Sequence, residues 1–213
     1  MNENMRKRNE ILAQTVIKGL ESRNMSGYYA TDKEEAVKKA LEVIGKGSTV
    51  AMGGCQSAHE IGLIQALEEG DYNYIDRSNM TPRESLMAAY DADVFLSSAN
   101  AMTNDGIMVN IDGNSNRVSC IAQGPKKVVF IVGMNKICSD LDEAMRALHQ
   151  KTQAPVIATL GRHGARVLAE DGALLTVPGQ PVERVADTIG AGDAHAGAVL
   201  LGLSRGLSLP DAV

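Results

Sequence analysis

The chain has 213 residues, a formal net charge of −5, 44% hydrophobic residues and only 3% aromatic ones, with no tryptophan. That length supports one large α/β domain or two small ones, each with a core of its own. The acidic balance argues against a general nucleic-acid or anionic-membrane surface, and no apolar run approaches the roughly 20 residues of a membrane span.

The cysteines Cys55, Cys120 and Cys138 show no CxxC spacing, so they suggest neither a disulfide framework nor a metal site. The basic opening MNENMRKRNE lacks the apolar core of a signal peptide, and a cytoplasmic protein is expected. Composition then changes abruptly: every Met, Tyr, Phe, Cys and Asn lies at or before Met145. Beyond that point Ala, Gly, Leu, Val and Arg dominate. The change predicts two units of different origin, residues 1–146 and 147–213.

In chain order, the apolar spacing of Ile11 to Leu20 predicts an amphipathic helix. TDKE (Thr31 to Glu34) reads as a capping box starting a helix through Ile44. STVAM reads as a buried strand ending at Gly53-Gly54. SAHE (Ser57 to Glu60) reads as a second capping box, opening a helix through Leu67. YNYID is a strand, and TPRE (Thr81 to Glu84) combines a cap, an N1 proline and an N3 acid. DVFLSS is a strand, and GIMVNIDGNSNRVSCIA reads as a hairpin around Asp112-Gly113. KKVVFIVG is an apolar strand of the kind covered on both faces, and SDLDEAMRAL starts a helix. Strands alternating with capped helices predict an open, mostly parallel α/β sheet with flanking helices.

Downstream, APVIATLG reads as a strand into a glycine turn, and ARVLAEDGALLTVPG as two strands joined at Asp171-Gly172. GAGDAHAGAVLLGLSRG is a small-residue turn opening a helix. SLPDAV has Ser208 as cap and Pro210 in the first turn, with too few residues beyond for a helix. The downstream unit therefore reads as truncated.

Polar and glycine-rich segments recur just after the upstream strands. Gly53 and Gly54 would let a ligand approach the backbone, with Ser57 at the helix start beside them. Ligands of open α/β sheets bind outside the carboxyl ends of the strands. Asn100, Asp105, Asn110, Asp112, Asn116 and Arg117 are therefore expected to line one crevice, with Arg117 as anchor for an anion. The competing reading is that these segments are only turns. Cys55 is either a stabilised thiolate at a helix start or a buried, inert side chain. His59 has no metal partner at ligand spacing, and no metal site is expected.

The GG…EIGL turn, the LSSANAMTNDGIMVNIDGNSNRV block and GPKKVVFIVGMNKI together resemble the LUD domain family, named for lactate-utilisation proteins, over roughly residues 5–146. The resemblance implies a fold like the NagB/RpiA/CoA-transferase superfamily. It also implies work beside iron–sulfur or flavin partner proteins in the oxidation of L-lactate to pyruvate. A binding module for a small anionic metabolite fits the same residues, and self-association with further copies of the chain is left open.

DTIGAGDAHAG (Asp187 to Gly197) resembles the signature of ribokinase-like, PfkB-type sugar kinases, and TLGRHGA (Thr159 to Ala165) their nucleotide loop. The resemblance implies ATP and magnesium as cofactors and Asp193 as the base that takes the acceptor's proton. Thr159, Gly161, Gly164, Gly190, Ala191 and Gly192 would hold the nucleotide or the transferred phosphate. The chemistry is sound, because free amides at a helix start suit developing phosphate charge. No sugar-binding half, lid or Asn-x-x-Glu motif precedes it, so this segment is expected to be an incomplete kinase, inactive alone.

Overall fold

A computed structural model describes residues 3–185 and 187–213. Its contacts divide the chain into two compact units, Met1–Asp140 and Leu141–Val213.

The first unit opens with α1 (Glu3–Glu21) and α2 (Lys33–Ile44), followed by β1 (Thr49–Met52), α3 (Gln56–Glu60), α4 (Leu63–Glu69) and β2 (Asn73–Tyr74). Next come α5 (Pro82–Asp91), β3 (Val94–Ser97), β4 (Ala101–Thr103), β5 (Met108–Val109), α6 (Asn116–Gln123), β6 (Lys127–Phe130) and β7 (Ile137–Cys138). Four strands form a parallel sheet in the order β2-β1-β3-β6. A smaller sheet, β5-β4-β7, pairs β4 antiparallel with β5 and parallel with β7.

Side-chain alternation explains why the parallel sheet is covered on both sides. Val50, Met52, Val94 and Leu96 face one way, packing with Ala40 and Ile44 of α2 and Leu63 and Leu67 of α4. Ala51 and Phe95 face the other way, against Ala89 of α5 and Cys120 of α6. Each fully buried large side chain here contributes about 1.5–3 kcal/mol relative to exposure.

The helix starts follow local chemistry, with two corrections. Thr81 and Glu84 form the expected capping box, each side chain bonded to the other's backbone amide. At α2 the cap is Asp32, not Thr31: its carboxylate accepts from the Glu35 amide at 2.8 Å, and Thr31 bonds Glu35 instead. No Ser57 capping box exists. Helix α3 begins after Cys55 without a side-chain cap, and Gly62, in the left-handed region at φ 83°, separates it from α4.

A third correction concerns residues 107–122. Only Met108 and Val109 are extended in this stretch, and their hairpin partner is β4, turning through Asn104 to Gly106. Asp112 does not turn a hairpin. Its carboxylate accepts from the amides of Arg117 at 2.6 Å and Val118 at 3.0 Å, satisfying the donors at the start of α6.

The second unit contains α7 (Leu141–Thr152), β8 (Val156–Thr159), β9 (Ala165–Leu168), β10 (Leu174–Val177), α8 (Ala191–Ser204) and α9 (Leu209–Ala212). Its strands form an antiparallel meander, β10-β9-β8. Arg166 on β9 grips Asp142 on α7 through two nitrogens and also bonds Thr176 on β10. The composition change at residue 147 thus falls inside a continuous helix. The terminal SLPDAV forms the short helix α9, contrary to expectation. It packs where a Cβ on Gly202 would lie 2.9 Å from Ala212 Cβ, so tertiary contact offsets the cost of a lone turn.

Candidate functional site

The carboxyl edge of the parallel sheet gathers the polar loops through one side chain. Arg117, in the first turn of α6, donates from Nη1 to the Ser98 carbonyl at 2.6 Å and to Asn110 Oδ1 at 3.0 Å. From Nη2 it donates to Asn100 Oδ1 at 2.7 Å and to the Ile111 carbonyl at 2.8 Å. Gly53, at the end of β1, meets the same side chain: a Cβ there would lie 2.9 Å from Arg117 Cγ and 2.8 Å from Phe95 Cζ. Gly53, Asn100, Asn110, Asp112 and Arg117 are therefore neighbours.

That arrangement changes the part assigned to Arg117. Both terminal nitrogens of its guanidinium are occupied by protein oxygens, so it ties loops together and does not present an open fork to an anion. Asp105 departs from the crevice altogether. It sits at the turn of the β4–β5 hairpin, roughly 10 Å of strand away from Asn100. There Arg23 donates to its carbonyl and carboxylate, both at 2.8 Å, and Thr103 donates to the carboxylate. Gly54 is exposed with open space around it, and Asn116 is an exposed residue of the first turn of α6. Ser57 is half-buried in α3, and His59 is exposed.

Two further groups at this edge carry no distinctive sequence signal. Lys136 donates from Nζ to the Ala99 carbonyl at 3.1 Å, on the segment that Arg117 also holds. Ser98 is buried beside it, with no hydrogen-bond partner for its hydroxyl among the described residues. The sequence signal for Lys136, a lysine soon after an apolar strand, is too common to single out. Cys55 is 2% exposed. Burial pushes its thiol up, while the amides of Ala58 and Ile131 and the charges of Lys136 and Arg117 pull it back. It is a buried thiol, not a stabilised thiolate.

The one carboxylate of this edge with a resolved shift is pulled toward its charged form. The Asp112 carboxyl lies below its ordinary value, first because of the Val118 amide and then those of Asn114 and Arg117. Two shallow depressions lie elsewhere on the unit. One is floored by Val37, Leu41 and Ile61; the other, at the amino edge of the sheet, is lined by Lys46, Ser48, Asp93 and Lys126. Among the described residues no cluster of His, Cys, Asp and Glu could hold a metal ion, and no helix is long and apolar enough to cross a membrane.

In the second unit, Gly190 takes a left-handed conformation at φ 74° and caps α8 without a side-chain bond. Asp187 accepts the Ile189 amide at 3.0 Å, and Ala191 donates to the Thr188 carbonyl, which shapes the turn ahead of the helix. Ala191, Gly192 and Asp193 are exposed in the first turn. Thr159 and Gly161 are exposed at the end of β8. Gly164 is structural: at φ 88°, a Cβ would run into the Val177 carbonyl oxygen. Among the described residues no hydrogen bond joins the Thr159–Gly164 loop to the start of α8.

A parallel sheet between helical layers, with polar loops at its carboxyl edge, defines an open α/β protein. The LUD domain family model matches residues 13–166, most of the chain, and the chain belongs to that family. The curated relatives are kinases. The chain is 50% identical over 64 residues to the uncharacterized sugar kinase YegV of Escherichia coli, covering 30% of this chain and 19% of that one. It is 34% identical over 99 residues to a cytidine kinase of Thermococcus kodakarensis, covering 46% and 34%, and 37% identical over 73 residues to mouse ketohexokinase, covering 33% and 24%. The chain thus spans between 19% and 34% of these relatives' lengths. The cytidine-kinase match, at 99 residues, is longer than the 67-residue stretch after position 146.

Among solved structures, a PfkB protein from Polaromonas sp. JS666 aligns with 20% identity, a TM-score of 0.30, and coverage of 76% of this chain and 48% of that one. Ribose 5-phosphate isomerase A from Methanocaldococcus jannaschii aligns with 18% identity, a TM-score of 0.37, and coverage of 76% and 84%.

Proposed function

We propose that the first unit binds a small organic anion at the carboxyl edge of its parallel sheet, as a lactate-utilisation-type LUD domain. The observation that carries this reading is the convergence of Gly53, Ser98, Asn100 and Asn110 on Arg117, which gathers polar loops at the edge where open α/β sheets take their ligands. Iron–sulfur or flavin partner proteins fit this reading as redox partners. Isothermal titration of the chain with L-lactate, pyruvate and inorganic phosphate tests it. Saturable binding of one of them is expected; no heat from any would refute it.

A second reading draws on the 50% identity with the sugar kinase segment: ATP-dependent phosphorylation of a carbohydrate hydroxyl, with Asp193 as base and magnesium on the phosphates. In its favour is the exposed carboxylate of Asp193 in the first turn of α8, beside Gly190 to Gly192. Against it stands the separation of chemistry from positioning. A base supplies about 10²–10⁴-fold, whereas holding the acceptor in place supplies far more, and among the described residues no polar side chain bonds to Asp193 or converges on it.

A further inference from the structure

Ser98 Oγ is a buried side-chain oxygen with no hydrogen-bond partner among the described residues, in a residue only 6% exposed. Native proteins pair nearly all such groups, so an orphan hydroxyl at the mouth of a sheet needs an explanation. The other such atom, Asn104 Oδ1, lies in the β4–β5 turn, away from this edge.

The position of Ser98 is informative. It is the first residue past the carboxyl end of β3. Along β3, Val94 and Leu96 share the face of Met52, Cys55 and Ile131, whereas Phe95 takes the other face. Continued one residue past β3, the same alternation points the Ser98 side chain to the Leu96 face. Two cations grip the backbone around it: Arg117 at the Ser98 carbonyl, 2.6 Å, and Lys136 at the Ala99 carbonyl, 3.1 Å. Two cations thus hold the backbone of the segment that carries this hydroxyl. The carboxylate of Asp112 faces Arg117 through its backbone amide.

We propose that Ser98 and Lys136 are the residues that contact the bound anion, the Ser98 hydroxyl donating to one of its oxygens and the Lys136 ammonium supplying the opposite charge. Arg117 is then a positioning residue that sets the segment both of them act from. The assignment rests on the reading that this edge binds a small organic anion. A hydroxyl donor beside an ammonium suits an oxyanion, whether a carboxylate or a phosphate.

The test is a titration of the full chain, followed by amide resonances, with acetate and L-lactate as the carboxylate arm and inorganic phosphate as the other. One arm should shift the amides of Gly53, Ser98 and Asn100 saturably. Ser98→Ala should then weaken that binding about tenfold, the worth of one hydrogen bond to a charged group. Lys136→Met should weaken it at least as much, and Lys136→Arg should recover part of the loss. Without ligand, Ser98→Ala should leave the thermal midpoint unchanged or raise it, because no protein partner is lost. Saturable shifts with unaltered affinity in Ser98→Ala and Lys136→Met would overturn the assignment while leaving the reading of the edge intact. No shift at those amides with any of the three anions would end both. A lowered midpoint in Ser98→Ala would show that the hydroxyl serves the fold, and would overturn its part.

Discussion

Arg117 Nη2 donates to Asn100 Oδ1 at 2.7 Å, and that same oxygen accepts the Ile111 amide at 3.0 Å. One amide side chain thus fastens the segment after β3 to the loop after β5, with Arg117 as the pin. Replacing Arg117 by lysine keeps the charge but removes the planar fork. We expect a loss of about 2 kcal/mol in stability, since several charged hydrogen bonds go at once and do not add fully. A lower urea midpoint at unchanged slope would report it; a change within about 0.5 kcal/mol would show that the loops hold without the guanidinium.

The two adjacent glycines should respond differently to alanine. At Gly53 the new Cβ would meet Phe95 Cζ at 2.8 Å and Arg117 Cγ at 2.9 Å. Overpacking there should cost about 1–3 kcal/mol. At Gly54 nothing lies within 4 Å, so the same change should leave the unfolding midpoint nearly unaltered. Equal effects at both positions would contradict the packing described for this edge.

Asp112 gives the edge a pH dependence of definite sign. Its folded carboxyl lies below its ordinary value of 3.8, chiefly because the Val118 amide donates to it. A depressed folded value means that the stabilisation is complete above the unfolded value and lost as pH falls through the folded one. Stability should therefore decline below about pH 4, and Asp112→Asn should flatten that part of the profile. A profile in the variant that matches the parent's would remove Asp112 from the account.

Much of the fold was legible because it depends on local pattern. The strands at Thr49, Val94 and Lys127 follow from apolar runs, and the Thr81 box from four consecutive residues. The errors arose where near-equivalent groups compete. Asp32 and Thr31 both offer a capping oxygen, and the carboxylate wins by a register of one. Around Asp112-Gly113 the turn residues were real, but Asp112 bonds forward to the amides of α6 and so starts a helix. The gathering of Gly53, Asn100 and Asn110 was foreseeable from strand ends. The occupation of Arg117 by carbonyls, and the approach of Lys136 to Ala99, were not, because both bonds join residues far apart in the chain. Asp105 was misplaced because hairpin register decides which end of a ribbon a turn occupies.

The kinase-like segment should be catalytically silent in this chain. We expect no sugar-dependent ATP turnover above background, and no change on Asp193→Asn. A coupled assay with ATP, magnesium and a panel of sugars measures this. Turnover that appears with one sugar and vanishes in Asp193→Asn would make the kinase reading the correct one.

The most direct measurement is a crystal structure of the full chain with whichever of L-lactate, pyruvate or phosphate binds most tightly in titration. The account predicts the anion at the carboxyl edge of the parallel sheet, with an oxygen within hydrogen-bond distance of Ser98 Oγ and the Arg117 bonds to Asn100 and Asn110 intact. An anion seated instead on the amides of Gly190 to Gly192, with the edge at Ser98 empty, would contradict it.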